Sequence, residues 1–429
     1  MLSTLRNAWK VPELRKRILF TIFLIALYRL GIFIRVPGID QSQIANLQKA
    51  AAGGTLFGFY NLISGGALEQ YSIFANGVVP YINASIIIQL LTIAIPQLEQ
   101  LEKEGEDGRK KIEKITRYSA VAFAALQAFT QYMIIRQYNV LTNITPLQVF
   151  TIIFSMTVAS TYLMWLGDRI TDKGIGNGIS LLIFINIISR FPTIIYKLYN
   201  IQQTSNNVSF IQILLLIAVV VAVFVAVVVT TLAERRIPVQ YAGRTVGNKT
   251  FKGQSTHIPI NVNNSGVIAI IFALSVLQTP VVIAQFFPKS KFAQVITGSN
   301  FSPFKTDTWT YVIVSFVLII FFTWFYTLIT FKPDEMAENI HKSAGFIPGI
   351  RPGEPTENYL EKVIGRISIL GGIFIALISV LPTILDIETP FQGLEFGGTS
   401  FLIVVGVALE TMRQIQAQLV MRHYQGFLR

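Results

Sequence analysis

The side chains that could carry out catalysis in this chain are few, and none of them has the spacing of a known active site. There is no cysteine, which excludes disulfides, cysteine-ligated metals and thiol catalysis. The histidines are His257, His341 and His423, and each lies in a polar stretch without a cluster of further ligands, so we predict no metal site. An intramembrane protease would need a membrane-embedded histidine or a pair of aspartates, and Asp168 has no evident second aspartate.

One glycine-rich stretch, residues 174–178, could be taken for a phosphate-binding loop. Its sequence GIGNG lacks the G-x-G-x-x-G spacing and follows an apolar segment instead of a strand, and the chain has no Gly-Lys pair for a Walker A motif. We therefore interpret these residues as a tight turn that opens the next helix. The sequence predicts neither an enzyme nor a cofactor.

A different pattern occurs at residues 72–97, an apolar stretch long enough to cross a bilayer. Amides and hydroxyls recur through it, namely Asn76, Asn83, Ser85, Gln89 and Thr92. Because an unpaired polar group in hydrocarbon costs free energy, one face of this helix must meet protein or water. The apolar segment 55–64 just before it is too short to span and is bracketed by Gly53-Gly54 and Gly65-Gly66. Together these features predict a gated pathway.

The composition is that of a polytopic membrane protein, since 52% of the residues are hydrophobic and only 14% are charged. We predict about ten spans, at residues 18–34, 73–95, 115–135, 149–166, 179–195, 210–232, 267–286, 311–331, 364–385 and 399–412. Many lysines and arginines lie at residues 6–17, 103–117, 235–252 and 332–366. Ten helices put all of these on the side that holds both termini, which the positive-inside rule makes cytoplasmic.

Two loops on that side, 233–262 and 332–365, are long, basic and rich in glycine and proline, which favours structured projections. The spans themselves are nearly free of ionisable groups, with Arg29 and Glu410 as the exceptions. Ion-coupled carriers usually hold such groups near the bilayer midplane. We therefore favour a passive pore driven from elsewhere, with an ion-coupled secondary transporter as the alternative.

Six sequence blocks carry a resemblance to a known family. They are residues 64–91 (SGGALEQYSIFANGVVPYINASIIIQLL), 103–112, 174–180, 254–263, 345–354 and 396–405, and they run in family order. Together they resemble the SecY family, whose members are the large subunits of bacterial protein-conducting channels. The resemblance implies an all-α membrane fold with two inverted, pseudo-symmetric halves, residues 1–200 and 201–429, around an hourglass pore. It also implies that unfolded secretory polypeptides cross through the pore and that transmembrane segments leave it sideways into lipid.

The resemblance implies two elements that close the pore. The first is a ring of apolar side chains, which blocks ions by dewetting; its residues here are Val78, Ile82, Ile183, Ile271 and Ile403, and Val78 is smaller than the isoleucine usual in the family. The second is a plug at about residues 55–68. Its residues are Thr55, Leu56, Phe57, Gly58, Phe59, Tyr60, Asn61, Leu62, Ile63 and Ser64. The alternative for this segment is a helix lying on the outer surface.

The resemblance further implies a lateral gate, between helices two and three on one side and seven and eight on the other. Weak hydrogen bonds across it would join Asn83, Ser85 and Gln89 to Asn264 and Ser275. Ordinary interhelical packing is the alternative role of these residues.

The two long loops resemble the family's docking site for the ribosome and for the SecA motor ATPase. There we single out Arg244, Lys249 and Arg351, whereas Asn248 stands where many relatives have a basic residue. The implied partners are the small SecE and SecG subunits, SecA, the ribosome, signal sequences, nascent secretory chains and membrane lipids. The implied location is the cytoplasmic (inner) membrane. The resemblance implies no cofactor for the protein.

Overall fold

The structure is a computed structural model. It describes residues 2–37, 64–68, 70–137, 145–204, 210–241, 244–246, 249–251, 255–263, 268–286, 290–298, 302–304, 308–388 and 398–427. The first half of the described chain is helical. Its helices are α1 (Leu2–Lys10), α2 (Pro12–Gly31), α3 (Val79–Ala94), α4 (Pro96–Lys103), α5 (Glu106–Gln137), α6 (Pro146–Lys173) and α7 (Gly178–Thr204).

The second half adds short strands between long helices. In chain order its elements are α8 (Phe210–Leu232), β1 (Glu234–Tyr241), β2 (Arg244–Val246), β3 (Lys249–Phe251), β4 (Ser255–Asn261), α9 (Ile268–Phe286), α10 (Lys291–Gly298), α11 (Trp309–Phe331), α12 (Pro333–Lys342), β5 (Gly345–Phe346), α13 (Glu354–Glu388) and α14 (Gly398–Phe427). Each of the ten predicted spans overlaps a helix, but the second one was predicted to begin too early, because residues 73–78 form turns and α3 begins only at Val79.

Five described helices are long and apolar enough to cross a membrane, and a sixth span results if the bent pair α3 and α4 is counted as one. These five are α6, α7 up to Tyr196, α8, α11 with its continuation to Lys342, and α13 up to Leu385. Other predicted spans lie on helices that carry more charge or are shorter, such as α2 with Arg15, Lys16 and Arg17. The protein is thus an α-helical membrane protein, and the count of ten spans stays a prediction.

The boundary of the second long loop differs from the prediction. Residues 354–365 belong to α13, which has 35 residues and is therefore about 52 Å long. That exceeds the roughly 30 Å hydrocarbon core, so α13 extends well beyond the bilayer on one side. The helix begins before the apolar segment because the polar residues that follow Glu354, including Glu357 and Glu361, are compatible with an exposed helix.

The two predicted cytoplasmic loops fold into one unit, which confirms that they are structured. Strand β1 pairs antiparallel with β4 of the same loop, and its end pairs with β5 of the other, at Gln240↔Phe346. A small core lies under this sheet, and it contains the buried side chains of Ile237, Val239, Ile260, Ala337, Ile340, Ile347, Leu360 and Ile364. Loops 233–262 and 332–365 are therefore held together by apolar burial as well as by strand pairing.

Two apolar clusters form the centre of the protein. The first draws on α2, α3, α6 and α7, with Ile403 and Val407 of α14. The second draws on α8, α9, α11 and α13, with Phe401, Leu402 and Val405 of α14. Helix α14 therefore contributes to both clusters. Among the residues that the sequence singles out, Val78 and Ile183 share the first cluster with Ile403 of α14.

Candidate functional site

Four of the five predicted ring residues lie in one apolar cluster. Val78, Ile183 and Ile403 are buried in it at 3%, 8% and 5% exposure, and Ile82 packs against it half-buried. Ile82, Ile183 and Ile403 lie on three separate helices, α3, α7 and α14, and Val78 is the residue that caps α3. Ile271 is half-buried on α9 and is not among the members of this cluster. The structure therefore brings together Val78, Ile82, Ile183 and Ile403, and their role as a pore ring stays a prediction.

The predicted plug lies mostly outside the described residues. Of its members Thr55 to Ser64, the structure describes Ser64 alone, and this side chain is 1% exposed. The Ser64 hydroxyl accepts a hydrogen bond from the Leu68 backbone N–H at 3.3 Å. Residues 64–68 are all buried. The end of the predicted plug region is thus packed inside the protein.

The chain that follows, residues 70–78, is fixed by hydrogen bonds to several helices. Backbone bonds of 3.0 Å join Val36 N–H to the Tyr71 carbonyl and Ile73 N–H to the Ile34 carbonyl, just after α2. The Asn76 amide donates to the Ala124 carbonyl of α5 at 3.2 Å. The Ser160 hydroxyl of α6 donates to the Gly77 carbonyl at 2.7 Å. Asn76, which the sequence singled out as a polar residue of the spanning helix, therefore anchors the segment that leads into α3.

A polar group that the sequence analysis missed lies beside this segment. The Asn186 side chain of α7 donates to the Tyr28 hydroxyl of α2 at 2.7 Å, and both residues are 1% exposed. The Arg29 guanidinium donates to the Gly65 carbonyl at 3.4 Å. Arg190 is also buried, and since it lies within a predicted span it should be counted with Arg29 and Glu410. The sequence did contain a signal for this polar group, because Asn186 and Arg190 are polar and lie four positions apart in an apolar helix.

The glycine-rich stretch 174–178 is a tight turn that opens α7, as predicted. The Ile175 N–H donates to the Thr21 hydroxyl of α2 at 3.1 Å, and the Gly176 N–H donates to the Gln414 side chain of α14 at 3.0 Å. The Asn177 side chain caps α7 by accepting from the Ser180 N–H at 3.1 Å. A side chain at Gly178 would collide with the Gly167 carbonyl of α6. The turn thus fixes the start of the helix that carries Ile183 against three other helices.

The residues predicted at the lateral gate are only partly described. Helix α9, the seventh predicted span, contacts α5, the third predicted span. Asn83 and Ser85 on α3 are half-buried, and Gln89 is exposed. On α9 the Ser275 carbonyl accepts a bond from the Thr279 hydroxyl of the same helix, and Asn264 lies outside the described residues. The contact between α9 and α5 fits a gate in the predicted place, whereas the hydrogen bonds across it stay a prediction.

Three ion pairs lie on helices α4, α5 and α6. Arg117 of α5 contacts Glu113 at 2.7 Å and Asp168 of α6 at 3.0 Å, which gives Asp168 a structural partner. On α4, which bends away from α3 by 98°, Lys103 contacts Glu99 at 2.7 Å. This hydrogen bond and the lysine charge lower the pKa of Glu99. Among the described residues no group of acidic or histidine side chains could hold a metal ion.

The three predicted docking residues lie on the shared sheet unit or next to it. Arg244 begins β2 and Lys249 begins β3, two strands that pair antiparallel in a hairpin. Arg351 is exposed in the turn between β5 and α13, where Gly349 and Gly353 have positive φ. The Thr356 hydroxyl donates to the Arg351 carbonyl at 2.8 Å, which holds the turn in place. The backbone thus places Arg244 and Lys249 on the hairpin between β1 and β4, and Arg351 in the turn after β5, and their docking role stays a prediction.

Comparison with known proteins identifies the family. The SecY family model matches residues 72–412. The chain belongs to the SecY family. A protein translocase subunit SecY of Streptomyces galbus is 43% identical to it, with 100% of both chains aligned. The protein translocase subunit SecY of Thermus thermophilus is 41% identical, over 100% of this chain and 98% of that one.

Solved structures of SecY-type channels share the fold. A structure described as that of a protein conducting channel matches with a TM-score of 0.64 and 18% identity, over 94% of this chain and 92% of that chain. Sec61 in the canine ribosome-channel complex matches with a TM-score of 0.60 and 17% identity, over the same shares. These identities are low, so the likeness concerns the fold. Together with the sequence relatives, the comparisons support a protein-translocation channel and not an ion-coupled secondary transporter.

Proposed function

We propose that this chain is the pore-forming subunit of a protein translocase in the cytoplasmic membrane. Unfolded secretory polypeptides pass through it, and apolar segments leave it sideways into lipid. The observation that carries the proposal is the match to SecY relatives over the whole chain. The grouping of Val78, Ile82, Ile183 and Ile403 in one apolar cluster supports a ring at the place that the family pattern implies.

An apolar ring suits this function for a physical reason. Aliphatic side chains offer an ion no replacement for its hydration shell, so a narrow ring excludes ions while it is closed. The same side chains make no hydrogen bonds to a passing polypeptide and thus hold no sequence in place. We include Ile271 of α9 in the ring because the resemblance to the family implies it at this position, and its side chain is half-buried.

We propose that residues 55–63 form the plug and that the moving segment ends at Ser64. This limit is shorter than the predicted one at residue 68. The burial of residues 64–68 and the hydrogen bonds of the following segment support it. A segment held by α2, α5 and α6 would have to break several bonds to move, whereas a hinge before Ser64 would leave them intact.

We propose that the shared sheet unit is the docking surface for SecA and for the ribosome. Arg351 is exposed on a turn whose backbone is fixed, so its guanidinium can meet an acidic surface or phosphate with little loss of backbone entropy. Arg244 and Lys249 lie on the hairpin of β2 and β3, which connects β1 to β4 of this unit along the chain. Two solved relatives bound to ribosomes are consistent with this use.

The remaining assignments follow from the same proposal. The chain works with SecE and SecG, has both termini in the cytoplasm and obtains its energy from SecA or from translation. It has no catalytic role of its own. We assign Asn83, Ser85, Gln89, Asn264 and Ser275 to the lateral gate, and the contact between α9 and α5 supports that location.

Site-specific disulfide formation tests the proposal directly, because the chain has no cysteine of its own. A stalled secretory chain with one cysteine is engaged with the Ile183→Cys variant and then oxidised. We expect an inter-chain disulfide. The control is Ile188→Cys on the same helix, whose side chain is 36% exposed, and there we expect none. Engaged substrate without an adduct at position 183 would refute passage through this ring.

A further inference from the structure

Helix α10 lies between α9 and α11 along the chain, at the end of these two helices that is opposite the shared sheet unit. Strand β4 leads into α9, and α12 and β5 follow α11, so the sheet unit belongs to the other end. The buried Ile296 of α10 packs with Ala284 in the last turn of α9. Helix α10 is therefore fixed beside the end of α9.

A series of short hydrogen bonds connects α10 to the start of α11. The Ser302 hydroxyl donates to the Ile296 carbonyl at 2.6 Å, and the Thr308 hydroxyl donates to the Ser302 carbonyl at 3.0 Å. Thr308 in turn caps α11 by accepting from the Tyr311 N–H at 3.3 Å. Helix α11 has 23 residues and is therefore about 35 Å long, close to the thickness of the hydrocarbon core. Its first turn thus marks the boundary of the bilayer, and these bonds hold α10 near that depth.

The side chains of α10 change in character around the helix. Ile296 faces α9 and is buried. Its neighbour Phe292, four positions earlier, is 49% exposed, and Val295 beside Phe292 is 67% exposed. Lys291 and Gln294 are exposed beyond Val295, and Gln294 lies about 200° from Phe292 around the helix axis. An exposed apolar face therefore separates the buried side of α10 from its polar side.

The exposed side of α11 indicates what covers this apolar face. Trp309, Ile313 and Val317 follow one another at intervals of four residues and are all exposed, so they form one stripe on a helix that crosses the membrane. Tryptophan favours the level of the lipid headgroups, and Trp309 directly follows the cap at Thr308. The lipid-facing stripe of α11 therefore begins at the depth at which α10 is held.

We propose that α10 is an interfacial helix that binds the lipid surface of the leaflet opposite the sheet unit. Phe292 and Val295 enter the boundary of the acyl chains, where their apolar surface leaves water. Lys291 and Gln294 face the headgroups, and the lysine stem lets its ammonium group reach a lipid phosphate. Because α10 is attached to the end of α9 and to the start of α11, its binding to lipid fixes the depth of both ends. The inference needs only the membrane-spanning fold and does not depend on the translocation function.

Fluorescence quenching in the reconstituted translocase complex tests this inference, since the chain has no cysteine of its own. Phe292→Cys, Val295→Cys and Gln294→Cys are each labelled with a small dye, in vesicles of phosphatidylcholine and phosphatidylglycerol. One quencher is a phosphatidylcholine with a nitroxide near the start of its acyl chain, and the other is iodide on both sides of the vesicle. We expect the nitroxide lipid to quench the dyes at positions 292 and 295 severalfold more strongly than the dye at position 294. Iodide should give the reverse order.

Val317→Cys provides the depth control on a neighbouring helix. Val317 is exposed on α11 and lies eight positions after Trp309, which places it about 12 Å deeper along the helix. A dye at position 317 should be quenched best by a lipid whose nitroxide lies near the end of the acyl chain. The dyes on α10 should be quenched best by the shallow nitroxide. Val295 is the more exposed of the two apolar residues of α10, so labelling there disturbs the packing on α9 least.

Two results would overturn the inference. If iodide quenched the dyes at positions 292 and 295 as strongly as the dye at position 294, α10 would lie in water. If neither quencher reached positions 292 and 295, another protein subunit of the complex would cover this face instead of lipid. Transport of a secretory protein by the wild-type complex is measured separately. Its absence would refute the proposed function but would leave the measured depth of α10 unchanged.

Discussion

The Thr21 hydroxyl provides a sharp test of how the glycine turn is anchored. It donates to the Arg17 carbonyl of its own helix at 2.9 Å and accepts the Ile175 N–H at 3.1 Å. Thr21 is 7% exposed and Ile175 is 4% exposed, so no water is at hand to replace the hydroxyl. Thr21→Val keeps the shape of the side chain and removes this acceptor.

The expected cost follows from what the variant leaves behind. The Arg17 carbonyl keeps its place in the helical hydrogen bonds of α2, but the buried Ile175 N–H loses its acceptor. A buried donor without a partner costs about 1–3 kcal/mol. The new methyl group also crowds Gly174, whose backbone lies against the Thr21 hydroxyl. We therefore expect Thr21→Val to lower the free energy of unfolding by about 2–3 kcal/mol.

Thr157→Val is the matched control. The Thr157 hydroxyl is half-buried and donates only to the Ile153 carbonyl of its own helix, at 2.7 Å. Its loss leaves no donor unsatisfied, so we expect a change within about 0.5 kcal/mol. The assay is equilibrium unfolding in mixed micelles, followed by tryptophan fluorescence. A Thr21→Val protein as stable as Thr157→Val would refute the view that this hydroxyl anchors the turn.

Three further predictions concern other parts of the molecule. Ile260→Ala should destabilise the sheet unit by about 2–5 kcal/mol, because Ile260 is 1% exposed in its core, and limited proteolysis should then cut loop 233–262 faster. Arg351→Glu should weaken SecA or ribosome binding in a salt-dependent way, whereas Lys362→Glu on the exposed side of α13 should bind normally in the same sedimentation assay. Arg117→Gln should lower the free energy of unfolding by about 1–2 kcal/mol, because it removes the cation that contacts Asp168. In a double-mutant cycle, adding Asp168→Asn should recover part of that stability, and additive losses would contradict the pairing.

Much of the helical framework could be predicted from local sequence. A spanning helix needs an apolar window of sufficient length, and that property can be read from one segment at a time. The helices that cover residues 210–232 and 311–331 therefore begin and end close to the predicted positions. The turn at residues 174–178 was predictable for a similar reason, since its glycines exclude a continuous helix. The start of α13 was missed because polar residues near Glu354 suit a loop and an exposed helix equally well.

The candidate site depended more on which helix faces meet. In the hydropathy pattern, Asn186 is only a polar residue in an apolar helix, and the pattern does not indicate its partner. Tyr28 lies 158 positions away, and only the packing of α7 on α2 brings the two together. The sequence could not pair the two long loops either, because a two-residue strand such as β5 has no pattern of its own and forms only when Gln240 and Phe346 become neighbours.

The sequence by itself determined that the chain is a helical membrane protein with several apolar spans and that it resembles the SecY family. Those properties depend on composition over short windows and on blocks of residues in order. Only the tertiary structure decided that Ile183 and Ile403 share a cluster, that Gln414 holds the turn at Gly176 and that Asn186 encloses Gly65. Each of these contacts joins residues distant in the chain, and its free energy exists only once the helices have packed.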